Sequence, residues 1–117
     1  MPIQRVVPNI SSERMDETQE FYIQLFGFEV AMDMGWILTL ASPSNPSAQI
    51  SVFRDTVSAA EVPALSIEVD DVDVVHEMAT ERGLQIVYPL TDEEWGVRRF
   101  FLVDPNGIVI NVLSHVR

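Results

Sequence analysis

Apolar and polar residues alternate along several short stretches, and two stretches replace that alternation with a helical period. Residues 6–10 predict a strand, which Ser11 and Ser12 close. Beyond Glu13, Met15, Thr18, Tyr22, Leu25 and Phe26 recur at spacings of three and four. That spacing predicts a helix, with Ser12 as its N-cap. Phe21 lies beside the stripe, and Gly27 stops it as a C′ glycine does. Strands are expected over 28–33, 36–41 and 49–54, with a Ser/Pro/Asn loop over 42–47.

The same order then returns. Residues 65–69 predict a strand with Leu65, Ile67 and Val69 on one face. Asp70 or Asp71 is placed to cap a helix running to about Arg82, with Val72, Val75, Met78 and Ala79 as its apolar stripe and Gly83 as its stop. Strands are expected over 84–90, 98–103 and 108–113. An acidic loop over 91–96 carries Trp95, and Asp104-Pro105-Asn106-Gly107 reads as a turn in which Asp104 accepts hydrogen bonds and Gly107 takes a positive φ. Stretch 6–10 thus corresponds to 65–69, and Gly27 to Gly83, the first helix being longer by about one turn. The repeat divides the chain into modules of about 1–55 and 63–117 with a linker of about 56–62, in one domain. One helix cannot cover both faces of its module's sheet. Two βαβββ modules laying their sheets side by side, each with its helix outside, satisfy the burial requirement. The expected fold is therefore α+β, a curved mixed sheet with a concave cleft.

Charge and missing residue types narrow the chemistry. Among 117 residues, 18 acids oppose 7 bases, a net charge of -11, and every base is an arginine. That balance is wrong for phosphate backbones and anionic lipid, so neither nucleic acid nor membrane is an expected partner. No apolar run is long enough to span a bilayer. No basic stretch followed by an apolar one opens the chain, so a cytoplasmic location is expected. Without lysine there is no lysine Schiff base, and without cysteine there is no thiolate nucleophile, thiolate ligand or disulfide. Two histidines, His76 and His115, cannot make a three-histidine zinc site. His76 is expected on the second helix, and His115 reads as a solvated residue of the tail.

Three segments carry a family resemblance. They are Phe21-Tyr22-Ile23-Gln24-Leu25-Phe26-Gly27-Phe28-Glu29, Leu65-Ser66-Ile67-Glu68-Val69-Asp70-Asp71-Val72-Asp73, and Trp95-Gly96-Val97-Arg98-Arg99-Phe100 followed by Asp104-Pro105-Asn106-Gly107. Together they resemble the vicinal oxygen chelate superfamily, which includes glyoxalase I, bleomycin-resistance proteins and extradiol dioxygenases. The resemblance covers essentially the whole chain and implies the same two-module fold, often paired as a homodimer. It also implies four metal-ligand positions, which fall here on Arg5, Ser51, Ala64 and Asn111. These types do not suit a hard divalent ion, which wants carboxylate or imidazole donors. No metal ligand and no cofactor are expected, a divalent metal being the alternative if the register is shifted toward Gln49 or Glu68.

Strand alternation then assigns faces. Val6, Pro8 and Ile10 are expected under the first helix, and Leu65, Ile67 and Val69 under the second. Arg5, Val7, Asn9, Ala64, Ser66 and Glu68 point the other way, as do Ser51, Phe53, Val109, Asn111 and Leu113. Trp36, Trp95 and Arg98 are placed at the rim or wall. The candidate ligand-binding set is Arg5, Asn9, Trp36, Ser51, Phe53, Ser66, Glu68, Trp95, Arg98 and Asn111, with Glu68 paired to Arg5 or Arg98. Such a mixed lining suits a small organic ligand. Glu68 is the candidate catalytic base, because desolvation raises a carboxylate's pKa. Two functions lead, ahead of a structural or regulatory interaction domain whose cleft has no specific small ligand. One is metal-free sequestration of a small ligand, aromatic and favoured if cationic, as in bleomycin-resistance proteins. The other is a glyoxalase-like lyase, isomerase or dioxygenase.

Overall fold

The computed structural model describes residues 2–54 and 62–116. They fall into two compact units. Unit one joins Met1–Val6 to Pro63–Arg117, and unit two is Val7–Val62. The elements in chain order are β1 (Ile3–Ser12), α1 (Met15–Phe26), β2 (Glu29–Asp33), β3 (Ile37–Ala41), β4 (Gln49–Arg54), β5 (Leu65–Val69), α2 (Val72–Glu81), β6 (Ile86–Asp92), β7 (Val97–Val103) and β8 (Val109–His115). The expected linker lies almost wholly outside the described residues.

The repeat is written in the hydrogen-bond ladders. In unit two, β1 pairs with β4 in parallel, and β4, β3 and β2 follow antiparallel. In unit one, β5 pairs with β8 in parallel, and β8, β7 and β6 follow antiparallel. Each unit therefore carries one βαβββ wiring with a mixed sheet, the α+β class expected from the alternation. Among the described residues no helix is long and apolar enough to cross a membrane.

In unit one the core lies between α2 and one sheet face. Val69, Val72, Ala79, Phe100 and Val112 are buried there, and Ile67, Val75, Ile86, Leu90, Leu102 and Ile110 pack round them. Asp71 caps α2 by accepting from the Asp73 N–H at 3.1 Å. Ser114 ties the helix start to the sheet: it accepts from the Val72 N–H at 2.8 Å and donates to the Val69 carbonyl at 2.9 Å. Both orphan groups are thereby satisfied inside the core. Met78, expected in the stripe, is exposed instead. His76 sits on α2 edge-on to Phe100, 4.9 Å between ring centroids.

In unit two, Leu38, Leu40 and Val52 form the core, with Met15, Tyr22, Phe28 and Ile50 against them. The helix thus lies over β3 and β4, which is why Val6 and Pro8, expected beneath it, are exposed. No residue of α1 is fully buried, and Leu25 and Phe26 of the expected stripe are exposed. Ser12 does not cap α1. Arg14 occupies the N-cap without a side-chain bond; Ser12, two residues earlier, accepts from the Arg14 N–H at 2.9 Å and lies 3.1 Å from the Thr18 hydroxyl. Gly27 does end the helix, with φ 78° and its N–H on the Ile23 carbonyl.

The helices contain 12 and 10 residues, so the difference is two residues rather than a full turn. The Asp104 turn forms as expected: its carboxylate accepts from the Asn106 and Ile108 N–H groups at 2.7 and 2.9 Å, and Gly107 has φ 81°. Those N–H groups, the Ile108 one foremost, hold the Asp104 carboxyl below its ordinary pKa and outweigh its desolvation. The correction with most consequence is β8, which continues past Leu113 to His115.

Candidate functional site

Alternation along β5, β7 and β8 separates two faces in unit one. Ile67, Val69, Phe100, Leu102, Ile110 and Val112 face α2. Ser66, Glu68, Asn111, Leu113, His115, Arg99 and Phe101 are on the other face. Register places them in rows: Ser66 beside Asn111 beside Phe101, and Glu68 beside Leu113 beside Arg99.

Glu68 is the hub of this face. One carboxylate oxygen accepts from Arg5 Nε, and the other lies 2.8 Å from His115 Nδ1. Burial pushes the Glu68 pKa up, but the hydrogen bonds from His115 and Arg5, with the charges of both, outweigh it and leave it below the ordinary value of 4.5. The pairing with Arg5 is the one expected. The lowered pKa runs against the expectation of a base raised by desolvation: the two donors hold the proton off. The His115 ring is about half exposed. In the next row Asn111 Nδ2 donates to Ser66 Oγ at 3.1 Å. Asn111 is 8 % exposed, and its Oδ1 is buried with no partner among the described residues.

A second cluster lies further along the face. Arg99 Nε donates to Glu93 at 2.7 Å, and the Tyr88 hydroxyl donates to the same carboxylate oxygen at 3.0 Å. The Arg99 guanidinium stands over the rings of Tyr88, Trp95 and Phe101, 5.3, 5.3 and 4.9 Å from their centroids. Tyr88 stacks on Phe101 at 4.7 Å. Trp95 is thus in contact with Arg99. Arg98 is on the α2 side, where it pairs with Asp73 at 2.9 Å and Asp92 at 3.1 Å. Its bond to Asp73 holds that carboxyl below its ordinary pKa. Arg98 therefore leaves the candidate wall, and its alternative pairing with Glu68 does not form.

The remaining candidates are in unit two. Asn9, Ser51 and Thr39 are register partners across β1, β4 and β3. Ser51 is buried with its hydroxyl 3.5 Å from that of Thr39. Trp36 lies 6.0 Å from Phe53, ring to ring. A groove of about 450 Å³ runs along the outer side of α1, lined by Glu17, Glu20, Phe21, Gln24 and Leu25. It shares no residue with either polar set.

The positions matched to metal ligands do not fit a divalent ion. Arg5 brings a cation already bonded to Glu68, Ser51 a hydroxyl facing another hydroxyl, Asn111 an amide, and Ala64 no donor. Among the described residues no three His, Cys, Asp or Glu side chains converge. His115, Arg99, Glu93, Tyr88 and Phe101 are the site residues missing from the sequence expectation. The alternation Val109, Asn111, Leu113, His115 was the available signal for the first of them.

Comparison with known proteins agrees with this architecture. No curated protein matches the chain. Among solved structures, a glyoxalase/bleomycin resistance protein/dioxygenase superfamily member from Vibrio splendidus superposes with TM-score 0.75 at 16 % identity, covering 97 % of this chain and 99 % of that one. A Streptomyces coelicolor methylmalonyl-CoA epimerase in complex with 2-nitronate-propionyl-CoA gives 0.74 at 18 %, covering 99 % and 100 %. A Legionella pneumophila structure described as an NAD-dependent benzaldehyde dehydrogenase gives 0.73 at 16 %, covering 94 % and 98 %. Likeness at these identities establishes the fold and leaves the reaction open. With a family model matching residues 3–112 over these two βαβββ units, the chain belongs to the Glyoxalase/Bleomycin resistance protein/Dioxygenase superfamily.

Proposed function

We propose that this protein binds a small organic molecule, without a divalent ion, on the face of unit one's sheet opposite α2. The observation that carries the reading is the unpartnered Asn111 Oδ1, buried beside the bonded set Ser66, Glu68, Arg5 and His115. A buried acceptor without a partner costs about 1–3 kcal/mol, and such atoms in folded proteins call for a specific explanation. A ligand N–H or O–H supplies one. The exposed Trp95 and the half-buried Tyr88 offer aromatic surface on the same unit. Glu68 and Glu93 are both ion-paired, so any preference for a cation draws on the net charge of -11, whose reach is screened within about 10 Å. The ligand is therefore aromatic and carries a hydrogen-bond donor. The role is sequestration of the bleomycin-resistance kind.

The test is metal analysis of untagged protein, followed by thermal melts with Ni²⁺, Zn²⁺, Mn²⁺ and Fe²⁺ and tryptophan-fluorescence titration with aromatic amines and phenols. The expected result is no bound metal and no metal-induced stabilisation, with at least one aromatic ligand raising the melting temperature. One tightly bound ion per chain overturns the reading.

An enzymatic reading, a glyoxalase-like lyase or isomerase, is favoured by one feature, the bond between His115 and Glu68.

A further inference from the structure

We infer that the outer side of α1 is a docking surface for a partner protein, and that it takes a basic amphipathic helix. The surface is in unit two and is independent of the small-molecule reading.

Helical spacing builds the groove. Glu17, Phe21 and Leu25 follow one another at i, i+4 and i+8, and Glu20 and Gln24 form the next such row. These five residues line the groove of about 450 Å³. A furrow between rows of this spacing is the shape into which a ridge of a second helix packs. A second groove, of about 360 Å³, adjoins it at Glu17 and Phe21 and reaches Thr18, Tyr22 and the end of β1. Phe21, Leu25 and Phe26 are exposed, and none of the three belongs to the core of unit two. The Phe21 ring is nonetheless held. It stands edge-on to Tyr22 at 5.2 Å and to Phe26 at 6.2 Å, and Tyr22 packs against the core of Leu38, Leu40 and Val52. An aromatic ring fixed before binding loses little freedom on binding, which is the profile of an anchor residue.

Charge chooses the occupant. Over residues 13–33 six acids stand against one base, Arg14. Arg14 reaches Glu17 only at 3.7 Å with both side chains exposed, a pairing that contributes little. Glu20 has no ion-pair partner among the described residues. The helix carries Asp16 and Glu17 in its first turn and no base in its last, so its own sequence leaves the negative end of its dipole uncompensated. An apolar furrow with a negative rim complements a helix whose apolar stripe is flanked by Lys or Arg. A second copy of this chain would bring Glu17 and Glu20 against the same acids across a two-fold axis, and like charges oppose that pairing. An anionic membrane surface is opposed by the same repulsion.

The probe is a labelled peptide of about four helical turns, with Leu at i, i+3, i+4 and i+7 and Lys elsewhere. One control is a scrambled peptide of the same composition, and the other has Glu in place of Lys. Binding to the full chain is read by fluorescence anisotropy. Wild type is expected to bind the Lys peptide at least ~10-fold more tightly than either control. Phe21→Ala with Leu25→Ala is expected to weaken binding about 30-fold, as loss of anchor residues does. Glu17→Gln with Glu20→Gln is expected to weaken it about fivefold at low salt, a difference that closes near about 1 M salt. Val74→Ala with Met78→Ala, an exposed apolar pair on α2, is expected to leave it unchanged. Backbone amide shifts of wild type, which need no variant, are expected to move over residues 17–25 on addition of the Lys peptide and to stay fixed over α2. No binding, equal binding of the three peptides, amide shifts away from α1, or equal losses in the α1 and α2 variants overturns the inference. Sedimentation of the chain alone tests the other occupant: a dimer that Phe21→Ala with Leu25→Ala dissociates makes the surface a contact between copies and overturns the basic helix.

Discussion

Units one and two share a wiring and differ in how each helix is fastened to its sheet. In unit one, α2 is capped by Asp71, tied to β8 and β5 through Ser114, and buries Val72 and Ala79. In unit two, α1 has no side-chain cap and no fully buried residue, and Phe21 and Leu25 remain 54 % and 64 % exposed. The sheet faces differ as well. The β5–β8–β7 rows carry Glu68, His115 and Arg99, whereas the β1–β4–β3 row carries Asn9, Ser51 and Thr39. Topology and chemistry are therefore separable. The wiring repeats because the alternation and the glycine stops repeat, while titratable groups accumulate on the unit whose helix and strands are bonded most firmly. That is the better place for them, since a side chain keeps a fixed geometry only on elements that are themselves fixed.

The largest expected contrast is in core truncation. Phe100→Ala removes a ring that is completely buried under α2 and is expected to cost about 3–5 kcal/mol. Phe21→Ala, on the exposed side of α1, is expected to stay within about 0.5 kcal/mol. Urea denaturation of both variants checks this. A Phe21→Ala cost matching that of Phe100→Ala breaks the comparison, because α1 would then be as well seated as α2.

Next comes the tie between helix and sheet. Ser114→Ala leaves the Val72 N–H and the Val69 carbonyl without their partner in the core, and a loss of about 1–3 kcal/mol is expected. Asp71→Ala removes only the cap, at about 1 kcal/mol. Ser12→Ala is expected to cost less than Asp71→Ala, because Ser12 bonds the Arg14 N–H and the Thr18 hydroxyl and no orphan N–H of the first turn of α1. Thermal melts of the three variants rank them, and a Ser12→Ala loss above that of Asp71→Ala contradicts the assignment of caps.

The smallest effect is the acid limb of the stability curve. The Glu68 pKa is lowered on folding, so its contribution is fully present above the unfolded value near 4.5 and is lost as pH falls through the lower folded value. Glu68→Gln is expected to reduce stability at neutral pH and to flatten the loss below about pH 4.5. Urea midpoints measured from pH 7 down to 3 for both proteins test the sign. An unchanged acid limb in the variant would mean that Glu68 gains nothing from Arg5 and His115.

Much of this molecule is written locally in its sequence. Gly27 and Gly83 mark the helix ends, Asp71 the start of α2, and Asp104 to Gly107 the last turn, because each rests on contacts within a few residues. Period-two alternation sorted Ile67 and Val69 from Ser66 and Glu68 correctly for the same reason. The Arg5–Glu68 pair was among the expected pairings, since both residues could be assigned to one face. What failed depended on partners distant in the chain. Ser12 looks like a cap and is not one. Leu25 and Phe26 look like core and are exposed, because α1 lies over β3 and β4 and no local pattern encodes that offset. Arg98 and Arg99 are adjacent, and only the strand register decides that the first meets Asp73 and the second meets Glu93.

His115 shows the division most clearly. By itself the sequence determined the two-module repeat, the acidic balance, the lack of thiol and lysine chemistry, and the poor match of Arg5, Ser51, Ala64 and Asn111 to a metal ion. Only the tertiary structure extended β8 to residue 115 and brought its imidazole to Glu68, 47 residues earlier in the chain. Short-range patterns specify elements because their energies are short-range. A hydrogen bond across two strands depends on register, which is set by the whole ladder at once.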